Sequence, residues 1–173
     1  MLIGGLLADS NMKEKTSESQ SKKQVTFGLV KPEAFDRGLI QEIERRIEDS
    51  GLKIVDKKVM VMDEHQLDIL YGHVRSKRPE IYELLRAHMR RPVEVLIVEG
   101  EDAVERLLKI RGSPTQKESQ PGTIRGDLAK DQVYDPKTAT TLPLNLFHAA
   151  DSIDDANRLI DAFSNSMKRA SRK

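Results

Sequence analysis

The sequence predicts an α+β fold: a ferredoxin-like split βαβ plait in which a four-stranded antiparallel sheet carries helices on its faces. Three observations predict it. Runs rich in β-formers recur near residues 25–30, 52–62, 93–98 and 144–147, with segments of helical period between them. Their order is β-α-β-(αα)-β-α-loop-β-α, which is the split βαβ order with an added helix pair. Residues 24–167 contain no linker-like break and no internal repeat, so a single domain is expected there.

Taken in order, residues 8–23 are polar almost throughout and lack a hydrophobic period. They cannot offset the entropy of ordering, so residues 1–23 read as a disordered N-terminal extension. The first strand, 25–30, is stopped by Pro32. Asp36 is placed to cap a helix over 37–50, whose apolar face is Leu39, Ile40, Ile43 and Ile47 and which Gly51 ends. A strand over 52–62 follows, then helices over 64–74 and 79–89, the second with Pro79 in its first turn. A strand over 93–98 comes after Pro92, and a helix over 101–111 carries Val104, Leu107 and Leu108 on one side.

Residues 112–144 show little periodicity and many glycines and prolines; a structureless connection of more than about 15 residues is functional or disordered. A strand over 144–147 then leads to a helix from Ser152, where Ser152-Ile153-Asp154-Asp155 has a capping form. Residues 168–173 form a basic tail, suited to a helix C-terminus.

Composition narrows the function. In 173 residues, 29 Lys+Arg face 28 Asp+Glu, so no global field draws the protein to nucleic acid or membrane and any anion site must be local. Zero cysteines exclude disulfides, thiolate nucleophiles and cysteine-rich zinc sites. No apolar run approaches the roughly 20 residues that span a bilayer. The apolar opening, 1–7, has no Lys or Arg before it and meets Asp9 at once, unlike a secretory leader, so a cytoplasmic location is expected.

Four histidines are present. His65 and His73 sit on one helix with no third ligand nearby and read as solvated. His88, among Arg86, Arg90 and Arg91, reads as exposed. His148 ends an apolar strand shortly before a capped helix, where backbone N–H groups can receive an anion; a hydrogen-bonded strand-end histidine is the plainer alternative. Lys31 closes the first strand, and Arg125 is delivered by a turn inside the long loop. Neither is diagnostic alone. G-x-x-x-x-G-K-[ST], G-x-S-x-G and H-E-x-x-H are all absent.

Together these segments are far more specific. Val30-Lys31-Pro32-Glu33, Arg37-Gly38-Leu39-Ile40, Pro121-Gly122-Thr123-Ile124-Arg125-Gly126-Asp127 and Asn145-Leu146-Phe147-His148-Ala149-Ala150-Asp151-Ser152 occur in that order. From about residue 25 to 163 the chain resembles the nucleoside diphosphate kinase family. The resemblance implies ping-pong transfer of the γ-phosphate of a nucleoside triphosphate to a nucleoside diphosphate through a phosphohistidine at His148. It gives Lys31 and Arg125 the phosphates, puts Tyr71 beside them, and gives Asn145 the ribose and phosphate region. A neutral imidazole is required, and a pKa near the ordinary ~6.5 would suffice. Mg²⁺ is expected on the nucleotide phosphates, held by nucleotide and water rather than by protein ligands. A homo-oligomer, a hexamer or a tetramer of dimers, is also implied. No membrane and no sequence-specific nucleic acid partner is expected.

The departures from the family are specific. A family arginine falls on Leu108, or on Lys109 if the register shifts by one; a family threonine falls on Pro114 or Thr115. The base-stacking phenylalanine is Glu80, with Tyr82 as a possible stand-in. The serine after the histidine is Ala150, and the glutamate that orients the imidazole is Leu159. Residues 128–144 carry an insertion beside the expected site. The active kinase keeps Lys31, Tyr71, Arg125, Asn145 and His148; the alternative is a catalytically weak or inactive kinase-fold protein that binds nucleotides or regulates. A single-stranded RNA binder on the same plait lacks the aromatic strand pairs it needs.

Overall fold

The first apolar run forms β1 (Lys23–Val30), the strand around which the molecule is built. The computed structural model describes residues 22–114 and 118–170, with side chains described as far as Ser164 in the final helix. β1 pairs antiparallel with β3 (Val93–Glu101) on one side and with β6 (Phe147–Ala149) on the other, and β3 pairs antiparallel with β2 (Lys53–Met60). The order β2-β3-β1-β6 is that of the split βαβ plait.

Strand alternation sends Phe27, Leu29, Val93 and Val95 to one core and Val30, Leu96 and Val98 to the other, so the central strands are buried on both faces. Gly28 has a packing reason: a Cβ there would lie 2.6 Å from Cζ of Phe147.

One face is covered by α2 (Ile40–Asp49), α5 (Ala103–Arg111) and the short α6 (Ile124–Leu128). Their Ile43, Ile47, Leu107 and Ile124 close on Phe147 and Leu96. The other face is covered by α3 (Glu64–Lys77), α4 (Pro79–Met89) and α7 (Ile153–Ala170). There Leu67, Leu70, Tyr82, Leu85, Leu159 and Phe163 meet Phe27 and Leu29. Local signals place the ends: Asp63 and Gln66 form a capping box on α3, and Ser152 Oγ accepts from the Asp155 N–H at 3.0 Å at the start of α7.

Four expectations need correction. Pro32 does not merely stop β1: it opens a one-turn helix, α1 (Pro32–Asp36), because its fixed φ and missing N–H suit a first helical turn. Asp36 therefore caps nothing; α2 begins at Ile40 after Leu39, and Asp36 accepts from Arg91 Nη1 at 2.7 Å. The connection expected to be structureless contains α6 and a hairpin of β4 (Asp131–Asp135) and β5 (Thr140–Leu144). Asp135 closes that hairpin by accepting from the Lys137 N–H at 2.9 Å and Thr138 Oγ1 at 3.0 Å, and Leu142 roots it in the core. The strand expected over 144–147 is thereby divided: Leu144 ends β5, and the sheet resumes only at Phe147.

At the termini, Lys23 already belongs to β1 and Lys22 accepts from the Asp102 N–H at 3.0 Å; residues 1–21 of the expected extension lie outside the described residues. The backbone of α7 runs through Ala170, and the remaining tail, 171–173, also lies outside. Among the described residues, no helix is long and apolar enough to cross a membrane.

Candidate active site

The carboxyl-terminal end of β1, the short strand β6 and the end of α5 meet at one side of the sheet, and the functional side chains gather there. His148 stands opposite Leu29 in the β1–β6 ladder, which turns its ring toward the core that holds Tyr71 of α3 and Leu159 of α7. The residues before it are tightly constrained. Phe147 N–H donates to Asn145 O at 2.7 Å across Leu146, whose φ of 65° is a left-handed value that a leucine adopts only under constraint. Two contacts supply the constraint. Leu146 N–H donates to Oε1 of Glu33 at 2.8 Å, and its carbonyl accepts from Lys31 N–H at 2.8 Å.

Five of the expected residues come together. Lys31 Nζ donates to Asn145 Oδ1 at 2.6 Å and lies 5.8 Å from the ring centre of Tyr71. Arg125 Nη2 donates to the carbonyl of Phe147 at 2.9 Å, next to the histidine in sequence, and its Nη1 donates to Ser113 O at 3.0 Å. Three atoms in this group are buried without a partner: Arg125 Nε, Tyr71 Oη and His148 Nε2. The last agrees with the loss of the orienting glutamate, since the residue at its place, Leu159, is fully buried in the apolar core.

The remaining expectations divide. Leu108 is half-buried and packs against the core under α5, while Lys109 is exposed and pairs with Glu105 at 2.7 Å. Neither is tied to the cluster. Pro114 is exposed, and Thr115 lies outside the described residues. Tyr82 is no substitute for a base-stacking aromatic: it is 2% exposed, and its hydroxyl donates to Asp68 Oδ1 at 2.6 Å. Glu80 is bound to Arg78 at 2.6 Å. His88, expected to be exposed, is not: its Nε2 lies 2.6 Å from Oε2 of Glu33 and its side chain is 10% accessible.

The electrostatics follow from burial and crowding. Burial, then the charges of Lys31 and Arg125, push the His148 pKa down to about 3, with Asp151 and Asp155 opposing. The imidazole is thus far more firmly neutral than an ordinary histidine. Burial lowers Lys31 to about 8, with Glu33 opposing and Arg125 and Arg111 adding. Burial and Arg111 lower Arg125 to about 10. Burial raises the Tyr71 hydroxyl well above its usual range, so it stays protonated. Glu33 shows the reverse balance: burial would raise it, but the His88 bond, the Lys31 charge and the Leu146 N–H hold its carboxyl below the usual range.

Three residues with evident roles escaped the motif reading. Glu33 is only one letter of a motif in the sequence, yet it fixes Leu146 and His88. Asp151, exposed three residues beyond the histidine, accepts from Arg111 Nη1 at 3.0 Å. Arg111 looked like an ordinary helix-terminal cation, and only its 11% side-chain exposure separates it from one. A neutral, desolvated imidazole ringed by under-compensated cations is suited to accept a group from a polyanion.

The chain is similar to known proteins over most of its length. A family model described as nucleoside diphosphate kinase matches residues 24–168. A nucleoside diphosphate kinase of Staphylococcus aureus (strain MSSA476) is 38% identical over 140 residues, covering 81% of this chain and 87% of the relative. One from Pyrococcus abyssi is 36% identical over 144 residues, covering 83% and 86%. Among solved structures, a transition state mimic of the Borrelia burgdorferi enzyme with bound vanadate and ADP superposes with a TM-score of 0.70 at 32% identity, covering 82% of this chain and 86% of that one. The apo enzyme of Encephalitozoon cuniculi gives 0.69 at 28% identity, covering 81% and 88%.

Proposed function

The chain belongs to the nucleoside diphosphate kinase family and is a phosphotransferase that acts on nucleotides, and we propose that its reaction runs through His148 with Lys31, Arg125, Asn145 and Tyr71 around the transferred group. The observation that carries this assignment is the neutral His148 set among buried cations. Its Nε2 is buried without a partner, and we assign the attack to the other ring nitrogen, Nδ1. In the first half-reaction the Nδ1–P bond forms as the bond between the γ-phosphorus and the bridging oxygen breaks, and the electron pair leaves on the nucleoside diphosphate. A second nucleoside diphosphate then attacks the same phosphorus and frees the imidazole.

Lys31 and Arg125 stabilise the charge on the phosphoryl oxygens, an effect commonly worth a few kcal/mol per preorganised donor. Asn145, whose Oδ1 accepts from Lys31 Nζ, is assigned to the ribose and phosphate region. Mg²⁺ fits as an ion carried by the nucleotide. Among the described residues no three His, Asp or Glu side chains gather to hold a metal, and this ion favours phosphate and water ligands. Bound there, it would neutralise charge on the β- and γ-phosphates. Self-association is supported by β2, an edge strand whose Val55 and Val59, with Val61 just beyond, are 42%, 53% and 56% exposed. The domain is proposed to span 24–167.

The test is direct. Incubation with γ-labelled ATP is expected to leave an acid-labile, base-stable label on the protein, which GDP removes. Absence of label on the wild type, or equal label on His148→Ala, would overturn the assignment.

A further inference from the structure

We propose that Arg111 is a phosphate-binding residue of this site, supplying from the last turn of α5 the cation that position 108, a leucine, cannot. This rests on the nucleotide reading above and adds a residue to it. The argument begins with placement. Arg111 is exposed to only 11% on its side chain, unusual for an arginine that ends a helix. Its Nε donates to Gly112 O at 3.1 Å and its Nη1 to Asp151 Oδ1 at 3.0 Å, which leaves Nη2 without a partner among the described residues.

The neighbouring peptide ties it to Arg125. Arg125 Nη1 donates to Ser113 O at 3.0 Å, so consecutive carbonyls, Gly112 and Ser113, each anchor one guanidinium. Gly112 makes that turn possible. Its φ of 92° belongs to glycine, and a Cβ there would sit 2.7 Å from Thr123 Oγ1. Three cations therefore share a small, desolvated region, and the carboxylates beside them are Glu33, already bound to His88 and Leu146, and the exposed Asp151. Like charges so gathered are costly without an anion. The charge of Arg111 is felt at both Lys31 and Arg125, as expected of groups built to share one polyanion. Leu108 is turned to the groove beside Gly112 and Thr123 and offers no charge.

The experiment measures ADP affinity by calorimetry, which does not depend on turnover. Arg111→Gln is expected to weaken ADP by about ten-fold or more, and Arg111→Lys to recover part of the loss. The wild type supplies a second readout: ADP should slow modification of Arg111 by phenylglyoxal, read by mass spectrometry, while exposed Arg45 reacts at an unchanged rate. ADP affinity within two-fold of wild type in Arg111→Gln, or equal Arg111 modification with and without ADP, would overturn the proposal. Failure of the His148 label alongside intact protection of Arg111 would strike the phosphohistidine assignment and leave this one standing.

Discussion

Lys31 is the residue whose chemistry depends most on its surroundings. Its ammonium is buried, bonded to Asn145 and crowded by Arg125 and Arg111, which together bring its pKa to about 8. The cation proposed to bind phosphate is therefore lost as pH rises through about 8, well below the ordinary lysine range. The rate constant for phosphoenzyme formation at low nucleotide concentration is expected to fall above that pH. Lys31→Arg should move the alkaline limb upward, since guanidinium keeps its proton. A profile flat to pH 10 in the wild type would contradict this. His148 adds no acid limb near pH 6.5, because its proton is not taken up until about pH 3.

At the scale of elements, the link from β5 to β6 holds His148, the proposed nucleophile, in place, and Glu33 holds the link. The carboxylate receives Leu146 N–H and His88 Nε2 together, buried at the base of α1. Glu33→Ala would leave a left-handed leucine without its tether and orphan a buried N–H, at a cost of roughly 3 kcal/mol. Urea denaturation should register that loss, and His148 labelling should slow by more than the folded fraction accounts for.

The sequence was legible where one signal dominated. β1, α4 and the cap of α7 lie close to where residue types put them, and Lys31, Arg125 and Asn145, from three of the quoted segments, stand together beside His148. It was misleading where two signals competed. Leu144 through Phe147 reads as one apolar strand, but Leu146 takes a positive φ that no local propensity reveals. Pro136 and Pro143 argue against strands, yet Pro136 falls in the turn after β4, and Pro143 sits in β5 of a two-stranded hairpin, whose unpaired outer side needs no N–H. His88 and Arg111 are hard to read for one reason: burial of a charged or titratable group is a tertiary fact, and His88 stands among Arg86, Arg90 and Arg91 while Arg111 sits at a helix end, where a cation is ordinarily solvated.

For the whole molecule, near-neutral charge and a concentrated cationic centre are compatible because the other charges pair locally, as Arg46 does with Glu42 and Asp127. The uncovered valines of β2 lie on the opposite edge of the sheet from β6. If that edge joins protomers, Val59→Lys should lower the sedimentation mass of the wild-type assembly while leaving the helical circular dichroism unchanged. An unaltered mass would remove β2 from the contact.

The pairing of Leu29 with His148 has one more consequence. Side chains alternate across a strand, so displacement of β6 by a single residue would bring Phe147 to the polyphosphate side and bury the imidazole behind the sheet. Such a misthreaded protein would keep its helices and most of its stability yet be chemically mute. The three-residue ladder, pinned at both ends by Lys31 N–H to Leu146 O and Ala150 N–H to Phe27 O, thus works as a fidelity lock on which side chain faces the proposed nucleotide site.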